Sequence, residues 1–164
     1  MVDPAHPVVF YIDTCCPAEF VPYIKEGVLA WNAAFEKAGF KNALRVKMAD
    51  SKTVLEEQRA VIAYDLHEAG IRTGYTFHPK TGEILSCRVN IGHGFLPKEL
   101  WRYVLECGTV DDRIRKEFFH PDVVGEILRS KVIRAVGSVL GLKENLAGSA
   151  AYTAEQVKSV AWLK

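Results

Sequence analysis

No two of the five histidines, His6, His67, His78, His93 and His120, stand four residues apart. That excludes a metal pair built from imidazoles on one helix face. The four cysteines, Cys15, Cys16, Cys87 and Cys107, contain no C-x-x-C pair, so a zinc ribbon or a thioredoxin-type motif is excluded as well. Cys15 and Cys16 are adjacent, and the peptide between them resists bridge geometry. They read as two small, partly buried thiols at a strand end, with soft-metal binding or thiol chemistry as the sharper alternative. An excess of one charge is lacking too. The formal net charge is +1, which gives no electrostatic case for nucleic acid. No apolar run approaches the roughly 18 residues that would span a bilayer. Met1-Val2-Asp3-Pro4 leads into a predicted strand rather than a signal peptide. Repeats and low-complexity stretches are absent.

What is present is ordinary soluble-domain material. The chain has 164 residues, 49% apolar and 25% charged, which suits one domain with one core over residues 1–164. Val8 to Ile12 reads as a strand, rich in β-branched and aromatic residues, and Asp13 to Pro17 as the turn out of it. Phe20, Ile24, Val28, Trp31 and Phe35 recur at helical spacing, so Ala18 to Ala38 is expected to be one helix stopped by Gly39. Leu44 to Met48 and Val61 to Tyr64 are further strands. Thr53 to Ala60 reads as an exposed helix or loop, and His67 to Thr73 as a loop. Gly74 to Ile84 should be strand, turn and strand, with Pro79-Lys80-Thr81-Gly82 as the turn, and Leu85 to Ile91 the last strand. Pro97 to Glu106 is a helix with Leu100, Tyr103, Val104 and Cys107 inward. Asp111 to Phe118 is a link with Arg113 and Arg115 on a solvated face, and Ala154 to Trp162 a short closing helix.

The longest signal runs from His120 to Asn145. Pro121 and Asp122 suit a first helical turn. Val124, Leu128, Val132, Ala135, Val139 and Leu142 then form one apolar stripe, and Gly141 marks the end.

Residues 134 to 145, RAVGSVLGLKEN, resemble the zinc helix of metzincin-type metallopeptidases, H-E-x-x-H-x-x-G-x-x-H, in the version H-E-V-G-H-T-L-G-L-x-H-N of a group of large bacterial zinc-dependent metalloproteases. Val136, Gly137, Leu140, Gly141, Leu142 and Asn145 fit without a gap. The downstream Gly148-Ser149-Ala150-Ala151-Tyr152 resembles that group's ASAAY-like segment. FVPYIKEGVLAWNAAFEKAGFKNA is similar to its first helix, R-P-Y-I-K-E-G-I-E-A-W-N-x-A-F-E-x-A-G-F-K-N-A. GYTFHPKTGEI resembles G-P-S-x-x-D-P-R-T-G-E-I, with His78 at the turn aspartate.

The resemblance implies an α+β, zincin-like N-terminal subdomain: a mixed twisted sheet, a backing helix behind it and a long former active-site helix. It also implies what is missing. The first histidine is Arg134, the general-base glutamate Ala135, the second histidine Ser138 and the third Glu144. A guanidinium cannot ligate a cation, and alanine cannot deprotonate water. The expectation is therefore a degenerate member with no catalytic residue, no metal and no cofactor, a pseudopeptidase. An active peptidase with non-standard ligands and a thiol enzyme on Cys15 or Cys16 are the alternatives. The methionine turn and C-terminal subdomain of the resembling proteins lie beyond residue 164, which predicts a truncated cleft without its lower wall. A second copy of the chain is one remedy for such an open face. The resembling proteins are largely exported, which leaves this chain's compartment unassigned.

Two further expectations concern the site. Leu85, Cys87, Val89 and Ile91 would form an edge strand along the rim that pairs with a peptide or protein ligand, the null being an ordinary edge with none. Arg134 would reach Glu144 across the turn and fill the vacated space, or hold an anion. His93, between two glycines, is the one lone histidine with a functional reading beside its loop reading. A zinc site from His67, His78 and His93 would need three loops to converge.

Overall fold

The computed structural model describes residues 1–50 and 60–159. The Thr53-to-Ala60 expectation, apart from Ala60, and the end of the Ala154-to-Trp162 helix lie outside them. Five strands form one mixed sheet in the order β2-β1-β3-β5-β4. They are β1 (Val8–Ile12), β2 (Leu44–Met48), β3 (Ala60–Asp65), β4 (Ile71–Phe77) and β5 (Ile84–Gly92). β1 runs parallel to β2 and β3, and β3 parallel to β5, while β4 is antiparallel to β5. The architecture is α+β and compatible with a zincin-like N-terminal subdomain.

The expected strands form, and Phe10, Ile12, Ile62, Val89 and Ile91 point to one face and are fully buried there. Two helices cover that face: α1 (Val21–Leu29), through Ile24 and Val28, and α5 (Pro121–Val139), through Leu128, Val132, Val136 and Val139. Each such side chain contributes about 1.5–3 kcal/mol by leaving water, so the sheet face and the two helices are held as one core.

The single helix expected over Ala18 to Ala38 is two, α1 and α2 (Asn32–Lys37). The ladder tightens at Trp31, whose N–H donates to Val28 O three residues back at 3.3 Å. The cause lies outside the helix. Trp31 Nε1 donates to Ile133 O of α5 at 2.9 Å, and Asn32 exchanges two side-chain hydrogen bonds with the Leu44 backbone, at 2.8 and 3.0 Å. Both anchors fix the chain from the side, and local periodicity carries no trace of them. Gly39 follows α2 with φ +97°.

The expected loop over His67 to Thr73 is half wrong, because Ile71 already opens β4 opposite Ile91. Asp111 to Phe118 contains a short helix, α4 (Asp112–Lys116). Arg115 is exposed as expected, whereas Arg113 is partly covered, with 37% of its side chain exposed. It bonds both Asp111 and Glu126, and Tyr103 donates to Asp111 Oδ2 at 2.8 Å. This clasp closes a second small core, Leu100 from α3 (Phe95–Cys107), Ile114 and Val123. Leu142 leaves the predicted stripe. α5 ends at Val139, Gly141 turns with φ +92°, and Leu142 is 55% exposed. Leu142 N donates to Gly137 O and Gly141 N to Ser138 O, the paired bonds of a glycine-terminated helix. A 3-10 turn (Gly148–Ala151) and α6 (Ala154–Lys158) follow. Among the described residues no helix is long and apolar enough to cross a membrane.

Candidate functional site

The last turn of α5 and the loop after it sit beneath β4. Thr73 Oγ1 lies 3.4 Å from Ser138 Oγ. A cavity of about 380 Å³ opens at this crossing, and Arg134, Ala135, Ser138 and Glu144 all line it. Helical spacing puts Arg134 and Ser138 one turn apart on one face, and the Gly141 turn brings Glu144 back toward them. Arg134 Nη2 and Glu144 Oε1 form the expected ion pair, with 74% and 67% of their side chains exposed. Ala135 is buried and offers the cavity only a methyl group.

The opposite wall comes from residues that sequence reasoning did not single out. Gly70 and Ile71 stand at the start of β4, and Phe95, Lys98 and Glu99 on α3; Lys131 of α5 lies one turn before Arg134. Lys131 Nζ lies 2.7 Å from Glu99 Oε2, a pair less exposed than Arg134–Glu144. These side chains converge through long-range packing of α3 on α5, for which no local motif exists.

Zinc chemistry needs three protein ligands and a free position for water. Glu144 is one carboxylate already paired with a guanidinium, and Ser138 is engaged with Thr73. Among the described residues no three His, Cys, Asp or Glu side chains gather in a metal-binding group. The donor set at this cavity does not fit the ion.

The expected edge strand requires a correction. β5, with Leu85, Cys87, Val89 and Ile91, is interior, lying between β3 and β4. Cys87, Val89 and Ile91 are buried in the core, and only Leu85, beside the irregularity at Thr76/Phe77, reaches solvent. The edge on the cavity side is β4. Linear sequence gives strand positions but not their order, and a hairpin can put either of its strands outermost.

The histidines are scattered. Tyr64 Oη, from the penultimate residue of β3, and His93 Nδ1, just past β5, are 2.7 Å apart. His78 Nδ1 accepts from Lys80 N and Thr81 N inside its hairpin turn, the acceptor work an aspartate would do there. The four cysteines are free. The Asp13 carboxylate raises the Cys15 pKa; burial pushes Cys16 up to about 12 and Cys87 up to about 11. Raised thiol pKa values lower the thiolate fraction at neutral pH, which argues against Cys15 or Cys16 as a nucleophile.

Residues 116–164 match a family model described as Met-zincin. This C-terminal segment is metzincin-like. The matched segment takes in α5, the Gly141 turn, and Arg134, Ala135, Ser138 and Glu144. β4 and α3, which complete the cavity, lie before it. No curated protein and no solved structure matches the chain.

Proposed function

We propose that this chain is a non-catalytic, metallopeptidase-like domain that binds a peptide along β4 without cutting it. The observation that carries the reading is the chemistry of the cavity. Where the metzincin pattern calls for three histidines and a glutamate, the chain has a guanidinium, a methyl, a hydroxyl and one paired carboxylate. The three imidazole ligands that would hold a water-activating ion are replaced, and the one carboxylate faces a guanidinium instead of a metal-bound water. The surface that would receive an extended chain is nevertheless present. Gly92 N donates to Gly70 O, so by the alternation of an antiparallel ladder Arg72 and Gly74 also bond β5. Ile71, Thr73 and Tyr75 then turn their backbone groups outward, and among the described residues no strand covers them. A peptide paired there would run over the cavity mouth at Thr73 and Ser138.

Thr73→Pro tests this. Proline removes an outward N–H, which an edge strand tolerates, and so blocks added pairing while leaving the β4–β5 ladder intact. Amide exchange at Ile71, Thr73 and Tyr75 should slow when a pool of short unstructured peptides is added to the wild type, and the proline variant should lose that binding. Unchanged exchange at all three positions with peptide bound would contradict the reading.

A further inference from the structure

We propose that the cavity at Arg134 is a carboxylate site, held shut by Glu144 as an internal competitor. The proposal deepens the reading above by naming the group that such a peptide would place there, and its test separates the two. Three cations line the cavity, Lys98, Lys131 and Arg134, against two carboxylates, Glu99 and Glu144. Lys131 is committed to Glu99 in a pair that is mostly covered, with 30% and 21% exposure. Lys98 has no ion-pair partner among the described residues, so the cavity carries one uncompensated positive charge.

Arg134 shows what it accepts, because a carboxylate from its own chain already sits on it. That carboxylate is easily displaced. Both partners are about two-thirds or more exposed, and such pairs are screened and weak. Glu144 also stands on a loop with no regular structure, between the Gly141 turn and the 3-10 turn. Glu144 meets the guanidinium through one oxygen, whereas an incoming carboxylate would be free to take the planar two-bond fork. It would add the free ammonium of Lys98 and the hydroxyls of Ser138 and Thr73, which Glu144 does not bond. A negative ligand in this position takes the place of a cation-bound oxygen with no metal present.

The carboxylate has two sources, a peptide C-terminus and an acidic side chain. The probes are succinate, inorganic phosphate, an acetylated trialanine with a free C-terminus, its C-terminal amide, and an amidated peptide with one internal glutamate. Binding is read from the Arg134 guanidinium nitrogen resonance and by calorimetry on wild type, Arg134→Gln and Glu144→Gln, with circular dichroism confirming that each is folded. Succinate and one of the two acidic peptides should shift the Arg134 resonance, and the amide should not. Glu144→Gln should bind severalfold tighter, because the competitor is gone. Arg134→Gln should lose binding, and added salt should weaken it. A better free-terminus peptide assigns the carboxylate to a chain end, and a better internal glutamate assigns it to a side chain. Equal binding of amide and acid, weaker binding in both variants, or phosphate ahead of every carboxylate would overturn the site. Succinate binding that survives while no peptide binds keeps the site and sinks the β4 reading. Peptide binding indifferent to the carboxylate does the reverse.

Discussion

A methyl group added at Gly137 would stand 2.5 Å from Cζ2 of Trp31. That ring cannot step aside, because its N–H is held by Ile133 O. Gly137→Ala gains about 1 kcal/mol of helix propensity but overpacks the contact of Trp31 with α5, which costs about 1–3 kcal/mol. We expect net destabilisation, seen as a lower urea midpoint with an unchanged slope. Relief by Trp31→Phe in the double variant would show that the clash is the cause. The thiols give a second test at this scale. Because the Asp13 charge raises the Cys15 pKa, Asp13→Asn should speed alkylation of Cys15 by iodoacetamide at pH 7. Cys16 and Cys87 should react only on unfolding. Mass spectrometry on time points distinguishes the sites, and fast labelling of Cys16 in the folded protein would revive a thiol mechanism.

Elements were legible where one face is buried and the signal is local. β1, β2, β3 and β5 lie where strands were expected, and α5 follows from its stripe, Pro121 and Gly141. The break at Trp31 and the start of β4 were not legible. The first is set by hydrogen bonds to α5 and β2, and the second by pairing across a hairpin whose exposed residues lack a strand-like apolar face. The same holds for the candidate site. Arg134, Ala135, Ser138 and Glu144 could be found because they share one helix and its turn, whereas Lys98, Glu99 and Lys131 meet only through α3 packing. The α4–α5 clasp makes a prediction for elements. Arg113 holds both Asp111 and Glu126 below their usual pKa values, through hydrogen bonds first. A depressed carboxylate pKa adds stability above its unfolded value, and that stability is lost as pH falls through the folded value. Arg113→Leu should therefore lower the melting temperature at pH 7. The deficit should shrink on acidification below about pH 4, where the carboxylates protonate in the unfolded chain. A deficit independent of pH would mean that Arg113 acts through packing alone.

At the scale of the whole molecule, two long helices and a five-stranded sheet bring a metzincin-like helix end under an edge strand. On the proposed reading this is the framework of a peptide cleft in which the side chains that would turn binding into hydrolysis are replaced. Framework glycines and tryptophan serve packing, so they are needed whether or not chemistry takes place. Ligands serve only the ion, and Arg134 and Glu144 instead neutralise each other at the mouth of the cavity. The most direct measurement is elemental analysis of protein purified without added metal, with casein digestion followed on the same sample. The account predicts zinc far below one ion per chain and no cleavage. Stoichiometric zinc together with digestion that EDTA stops would contradict it.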